Sequence, residues 1–462
     1  LLFVAAAGIR KYLGVVFGSR LSVAGRMVAT VFWVANPYIV VAGNTTPVLL
    51  PYALLPWTLI PFVQSTRHPR SWRWPAMFAL AFFAQAGLNA GVVSFFSLLV
   101  LPAHIVYAVW VERRPRAGVF GALAKCGLLT VLVSLYWLAP SFLATGTGTG
   151  IAEATENPVD VARTSSYSES ARLLGHWPLY GRAGSRLFLG GYASYIDNPF
   201  VVVCSFLILL AVGATLVWTR GRERLLVVGM IVMALPAMVG LFPPDKPYPA
   251  GRFLGKVFDA VPATLAFRTT NKAGAVVVLA YAIALSMGVR AFNLRRPTRG
   301  LRSVGVALVM LVLVGASLPM WSGNLYPLGY KIPTSWKQAL GDLDARDPQS
   351  RVMVVPGGTG GNYRWGMRSP DDLFPSLLER PVAVRNTVVG RGNEAGNFLA
   401  GFDTLLAQGA LAPSAISTTA RYLGAAQVLV RNDLLTEEIG GPSPAVVDKQ
   451  VQADPGLTSI KD

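Results

Sequence analysis

Nine apolar runs, each near the length of a bilayer-spanning helix, constrain this chain more than any other feature. They lie at 22–40, 47–64, 75–88, 91–110, 119–143, 199–218, 225–242, 272–291 and 303–320, and residues 1–9 read as the tail of another. About 20 apolar residues cross a bilayer as an α-helix, which satisfies its own backbone where no water can. Charged residues are 14% of the 462, against about a quarter in a soluble domain. The pattern predicts a polytopic α-helical membrane protein.

Net charge at first suggests a nucleic-acid partner, since the formal value is +18. Its location excludes that reading. Residues 1–320 hold 28 Lys+Arg and 9 Asp+Glu, whereas 321–462 hold 13 and 14. The excess falls in short links: STRHPRSWRW (65–74), VERRPRAG (111–118), TRGRER (219–224) and NLRRPTRGLR (293–302) carry 13 Lys+Arg. The links VAGNTT (41–46) and LNAG (88–91, a tight hairpin) carry none. Lys and Arg collect in cytoplasmic loops, so the alternation predicts a plasma-membrane protein with 144–198, 243–271 and everything after Met320 outside. Residues 1–320 form the membrane domain and 321–462 an external one. The chain opens inside an apolar run and stops after a polar stretch, as expected of a fragment of a longer protein.

The acids follow the same division. Glu112 and Glu223 lie in basic links, and Glu153, Glu156, Asp160, Glu169, Asp197, Asp245 and Asp259 fall in the external loops. None lies within a span, where ion-coupled transporters keep ionisable groups. Lys125 can reach the cytoplasmic face, and His104 reads as a hydrogen-bonded bundle residue. Cys126 and Cys204 sit in apolar runs as small hydrophobes.

The stretch AFRTTNKAG (266–274) therefore faces outward, against the local charge rule. One account is snorkelling of Arg268 and Lys272 to headgroups. The other is an anion site. Arg268 and Lys272 share a face if a helix begins near Thr269. Thr269, Thr270 and Asn271 would cap it, adding free N–H groups and the positive dipole end. Phosphate is the usual guest of such a site, and at a membrane surface it belongs to a lipid.

The first external loop starts with ATGTGTG (144–150) and is then rich in Tyr, Trp and Gly. Tyr167, Trp177, Tyr180, Tyr192 and Tyr195 fit an interfacial aromatic belt. Alternatively they form a carbohydrate platform, with His176, Arg182 and Asp197 as polar contacts. RLLGHWPLY (172–180) reads as a surface helix, as does 251–261 in the proline-stiffened second loop. Asp245 and Asp259 there are candidates for a divalent metal or an acceptor contact; no motif fixes a cofactor.

In the tail, helices are expected at 333–346, 398–409 and 412–424, and strands at 351–357, 380–390 and 425–434. Strands alternating with helices suggest a small, incomplete α/β domain. PGGTGGNYRWG (356–366) follows a strand but lacks the dinucleotide spacing and a phosphate-loop lysine.

NPYIVVAGNTTPVLLPYALLPW (36–57), LLGHWPLYG (173–181), AFRTTNKAG and YLGAAQVLVRNDL (422–434) resemble the actinobacterial arabinofuranosyltransferase D family, α-(1→3)-arabinofuranosyltransferases of the GT-C membrane glycosyltransferase superfamily. The resemblance spans nearly the whole chain. It implies a GT-C-like bundle, a polyprenyl-phosphate arabinofuranose donor and an acceptor in arabinogalactan or lipoarabinomannan. Transfer would invert the anomeric centre. Arg268, Lys272, Asn271 and Thr270 would then hold the donor phosphate, and His176, Trp177, Tyr180, Arg182 and Asp197 the acceptor. In GT-C enzymes the base usually sits on the first outer loop, which implies a catalytic carboxylate upstream of residue 1. A lipid-linked glycan transporter and a non-catalytic scaffold for envelope assembly are the rival readings.

Overall fold

The computed structural model describes residues 1–460 except 43–44, 87–91, 144–156, 184–185, 188, 296–297, 323–330, 347–348, 359–360, 368–372, 386–393 and 440. The hairpin expected at 88–91, the ATGTGTG stretch, Asn44, Glu153 and Glu156 lie outside the described residues. Those that are described divide into two units, one within 1–325 and one within 326–462.

In the first unit, seven helices among the described residues are long and apolar enough to cross a membrane: Leu2–Arg20, Val23–Val41, Thr46–Arg67, Val93–Val111, Arg116–Pro140, Pro199–Trp218 and Thr270–Leu294. The chain is a multi-pass membrane protein. Its helices are α1 (Leu2–Phe17), α2 (Val23–Val34), α3 (Pro37–Val41), α4 (Thr46–Arg67), α5 (Arg73–Ala86), α6 (Val93–Val111), α7 (Arg116–Leu143), α8 (Pro199–Trp218), α9 (Arg224–Val239), α10 (Pro249–Ala260), α11 (Gly274–Leu294) and α12 (Arg299–Ala316).

Several boundaries differ from expectation for local reasons. The run 1–9 continues as helix through Arg10 and Lys11 to Phe17, with the Lys11 ammonium 5.2 Å from the centre of the Trp57 ring. The run 22–40 breaks at Asn36 because Pro37 has no N–H to give the Trp33 carbonyl. Asn36 repairs the break: its amide donates to the Phe32 and Trp33 carbonyls at 2.9 and 3.2 Å, and its oxygen accepts from Ile39 N–H. Two expected full spans are shorter helices, α9 and the apolar part of α12.

The middle of the bundle is α11. Every residue from Gly274 to Met287 is buried, as expected of a helix that is apolar all round, and α2, α8 and α9 surround it. Its two ends differ. At one end the basic links gather. Arg67 pairs with Glu112, Arg20 with Glu223 at 3.2 Å, and Lys125 donates to the Pro69 carbonyl at 2.9 Å. Arg67 also reaches the Val15 carbonyl, and Arg295 lies over Trp218. Burial works against the Glu112 charge, but the Arg67 and Arg114 guanidiniums outweigh it and hold the carboxyl below its ordinary value. Deeper in the bundle, His104 shares a 2.9 Å hydrogen bond with the Tyr12 hydroxyl. At the other end of α11 the long loops meet.

The second unit is a parallel sheet of β1 (Arg351–Val355), β2 (Val382–Ala383) and β3 (Ala425–Val430) in the order β2-β1-β3. Its main helices are α13 (Thr334–Arg346), α14 (Glu394–Ala407), α15 (Ala415–Tyr422) and α16 (Pro444–Gln452). Alternation along β1 serves both faces: Val352 and Val354 pack with Trp336 and Phe374, while Met353 and Val355 pack with Leu406 and Ile416. The strand expected over 380–390 pairs only at 382–383, and 386–390 lies outside the described residues. In the glycine-rich turn, Gly357 N–H donates to the Asp403 carboxylate at 2.9 Å.

Candidate functional site

Because α11 is the central helix, the polar residues before it sit over the core of the bundle and away from its lipid-facing rim. Thr269, Thr270 and Asn271 are buried, at 6%, 3% and 5% exposure, and Arg268 and Lys272 are half-buried. Headgroup snorkelling does not account for the three buried polar side chains.

The expected helix cap is not formed. Thr270–Ala273 is a 3-10 turn, and the α-helix starts at Gly274. The side chains that would have capped it are used across the bundle. The Thr270 hydroxyl donates to the Met238 carbonyl at 3.3 Å, and the Asn271 amide donates to His176 Nδ1 at 2.8 Å. Arg268 and Lys272 precede the α-helix, so a shared helical face no longer relates them. Arg268 donates to the Leu265 carbonyl at 3.2 Å, and the Lys272 carbonyl accepts from the Tyr38 hydroxyl at 3.4 Å.

Two glycines make room for this arrangement. Gly240 ends α9 with φ 59°, and a Cβ there would lie 2.6 Å from the Thr270 hydroxyl. A Cβ on Gly274 would collide with the Tyr38 ring.

The loop over the site is held by buried polar ties. Ser165 donates to the Val239 carbonyl at 2.7 Å, and Tyr281 donates to the Ala171 carbonyl at 3.1 Å. Arg172 pairs with Glu169 at 2.6 Å and also donates to the Ser205 hydroxyl and the Tyr195 carbonyl. Glu169 accepts from the Tyr180 hydroxyl as well. Burial first, and then the adjacent Glu169 charge, push the Tyr180 hydroxyl well above its ordinary pKa.

Two expectations for this loop are corrected. RLLGHWPLY is no surface helix: the helical turn is Tyr167–Ala171, Leu173 and Gly175 adopt positive φ, and Trp177–Leu179 is a 3-10 turn. Leu173 and Leu174 are 2% exposed, packed inward. Tyr192 and Tyr195, at 1% and 0% exposure, belong to no interfacial belt; the Tyr195 hydroxyl donates to the Ala316 carbonyl at 2.8 Å.

His176 and Asn271 are thus brought together by direct contact. Trp177 and Tyr180 are half-buried beside His176 in sequence, and Arg182, Asp197, Asp245 and Asp259 are exposed. Asp259 lies near the end of α10, which forms where a helix was expected at 251–261. Among the described residues no group of three or more His, Cys, Asp or Glu stands close enough to hold a metal. Sequence reasoning missed Glu169 and Tyr38. The first had a signal, Ser166-x-x-Glu169, the spacing of a capping box, and Ser166 indeed accepts from Glu169 N–H at 3.2 Å.

Chemically, the arrangement offers a buried amide, an imidazole whose Nδ1 is occupied, and two cations at the margin. The Asn271 side-chain oxygen is buried and accepts from no described group. A hydroxyl donor fits that oxygen, and an anion fits the two cations at the margin.

A family model described as Alpha-(1->3)-arabinofuranosyltransferase, N-terminal GT-C domain, matches residues 1–462. The chain belongs to this family. It is 27% identical to the Alpha-(1->3)-arabinofuranosyltransferase of Mycobacterium tuberculosis, over 94% of this chain and 32% of that protein. It is 25% identical to that of Mycolicibacterium smegmatis, over 95% of this chain and 31% of the relative. The chain thus spans about a third of these curated relatives. A cryo-EM structure of arabinofuranosyltransferase AftD from mycobacteria matches with a TM-score of 0.70 at 20% identity, covering 100% of this chain and 30% of that one. At that identity the likeness shows the fold, and the GT-C bundle is shared.

Proposed function

We propose that this chain is the donor-binding membrane part of an arabinofuranosyltransferase that uses a polyprenyl-phosphate sugar outside the membrane. The observation that carries the reading is the part-buried Asn271–His176 contact at the start of the central helix, with Arg268 and Lys272 beside it in sequence. Membership of the family supplies the sugar, and the relatives' names supply the reaction class.

In this reading a hydroxyl of the envelope glycan, arabinogalactan or lipoarabinomannan, attacks the anomeric carbon. The bond from that carbon to the phosphate oxygen breaks with inversion, and lipid phosphate leaves. Arg268 and Lys272 stabilise the charge that grows on the leaving oxygen, and Asn271 and Thr270 position it. His176, Trp177 and Tyr180, with Arg182 and Asp197 further out, form the acceptor side. A carboxylate takes the hydroxyl proton. Among the described acids of this end, Glu169 is committed to Arg172 and Tyr180, and Asp197, Asp245 and Asp259 are exposed. As the family resemblance implies, we propose that the base lies upstream of residue 1.

The test uses the full-length protein and a polyprenyl-phosphate arabinofuranose donor. Arg268→Ala and Lys272→Ala should each weaken donor binding by about ten- to a hundredfold, the loss of one charge-assisted hydrogen bond. Unchanged affinity in both variants would remove the phosphate assignment. Donor binding with no transfer to any glycan would favour the transporter reading instead.

A further inference from the structure

The opposite end of α11 carries a second feature that the transfer reaction leaves unexplained. A cavity of about 1130 Å³ opens between the α1–α2 corner and helices α8, α11 and α12. It exceeds the roughly 300–1,000 Å³ of ordinary small-molecule sites. Its walls are apolar: Leu207 from α8, Val28 from α2, and Leu308 and Val312 from α12. Leu308 is 58% exposed and Trp218 is 63% exposed, as suits side chains that meet acyl chains.

The mouth is cationic. Arg20, Arg220, Arg290 and Arg295 line it together with one acid, Glu223. Glu223 pairs with Arg20 at 3.2 Å, and Arg295 lies over the Trp218 ring at 5.2 Å. Three arginines are left in excess around an apolar slot. Basic pockets between membrane helices bind anionic headgroups, and guanidinium matches phosphate in geometry as well as charge.

We propose that this cavity holds an anionic glycerophospholipid, its phosphate on Arg220, Arg290 and Arg295 and its acyl chains between α8 and α12. The site is distinct from the proposed donor site. Lys272 and Arg290 are 18 residues apart along the same helical segment, roughly 27 Å at 1.5 Å per residue, so one headgroup cannot serve both. The lipid occupies the other leaflet and joins α12 to the bundle, much of whose surface is exposed along Leu301, Val304, Val306 and Leu311.

Lipid-exchanged full-length protein, offered phosphatidylglycerol or phosphatidylcholine and read by native mass spectrometry, tests this. Phosphatidylglycerol should be retained at least about tenfold over phosphatidylcholine, the preference one charge-assisted contact confers. Arg290→Gln/Arg295→Gln should abolish the preference, and Arg290→Lys/Arg295→Lys should keep much of it. Leu308→Trp, which fills the slot and leaves the arginines in place, should lose the bound lipid. Equal retention of both lipids, a parent that binds neither, or unchanged binding in both the glutamine and the Leu308→Trp variants would overturn the proposal. So would displacement of phosphatidylglycerol by equimolar polyprenyl phosphate, which would assign the slot to an isoprenoid.

Discussion

The side-chain amide of Asn271 donates to His176 Nδ1 at 2.8 Å, joining residues 95 positions apart at the head of the central helix. The bond assigns the imidazole proton to Nε2 and turns that edge away from Asn271. If the pair works as one unit, its two members are not independent. His176→Ala and Asn271→Ala should each weaken substrate affinity, and the double variant should do little worse than either. The expected coupling is about 1–3 kcal/mol in a double-mutant cycle. Additive losses, measured by donor and acceptor titration, would mean that the contact is incidental.

Trp177 and Tyr180 can be tested one at a time. The Tyr180 hydroxyl is spent on Glu169, which also holds Arg172. Tyr180→Phe keeps the ring on the acceptor side and removes only this hydroxyl, so it should lower thermal stability by about 1.5–3 kcal/mol, the worth of a hydrogen bond to a charged group, and leave the acceptor KM near the parent's. Trp177→Phe should raise the acceptor KM several-fold. Equal KM values in Trp177→Phe and the parent would make that ring an anchor only.

How much of this was legible in the residues depended on range. Apolar period and basic links are local signals, so most of the helices, the alternation of strands and helices in the tail and the grouping of links at one end could be read directly. RTTNK was recognisable as anomalous because its composition clashes with its place beside a span. Its geometry was not recognisable. A cap uses neighbours in sequence, whereas Thr270 and Asn271 found partners at Met238 and His176 on other elements. Tyr192 and Tyr195 misled for the same reason: an aromatic in a loop looks interfacial until a carbonyl such as that of Ala316 claims its hydroxyl in the core. The break at Asn36 was written in the sequence as Asn-Pro, but the apolar run on either side masked it.

Orientation rests on charge alone and is open to a direct check. Cysteines placed at Ser168 and Ser335, both exposed, should label with an impermeant thiol reagent in intact cells. One at exposed Gly221 should label only after lysis. Cys126 and Cys204 are 1% and 2% exposed and give little background. Labelling at Gly221→Cys alone in intact cells would invert the topology and move the proposed donor site to the cytoplasm.

The close approach of α11 to Tyr38 makes Gly274 a sensitive position. Gly274→Ala places a methyl inside the Tyr38 ring, and overpacking of this kind costs about 1–3 kcal/mol. The helix start would shift, carrying Lys272 and Asn271 with it. Gly274→Ala should lose both stability and donor affinity, and Tyr38→Ala in the same chain should restore stability in part. A stable Gly274→Ala variant with parental affinity would show that the helix head tolerates displacement.

In the second unit, Asp454 provides a test by pH. Its carboxylate accepts from Ser417 N–H at 2.9 Å, the Ser417 hydroxyl at 2.7 Å and Gly456 N–H at 2.9 Å. Burial opposes the charge, but these donors outweigh it and hold the carboxyl below its ordinary value. A folded-state pKa lower than the unfolded one, about 3.9, means that the unfolded chain takes up the proton first as pH falls. The stabilisation is therefore complete above about pH 5 and fades as pH drops through the ordinary carboxylate range toward the folded value. Asp454→Asn should weaken amide protection across α15 at pH 7 by about 1.5–3 kcal/mol, with the difference from the parent shrinking below about pH 4 as the parent's own carboxylate is protonated. Hydrogen exchange of the full-length protein, corrected for intrinsic rates at each pH, reads both numbers. A deficit in Asp454→Asn that is equally large at pH 7 and pH 3 would mean that the side chain holds α15 by shape, and that its charge contributes nothing.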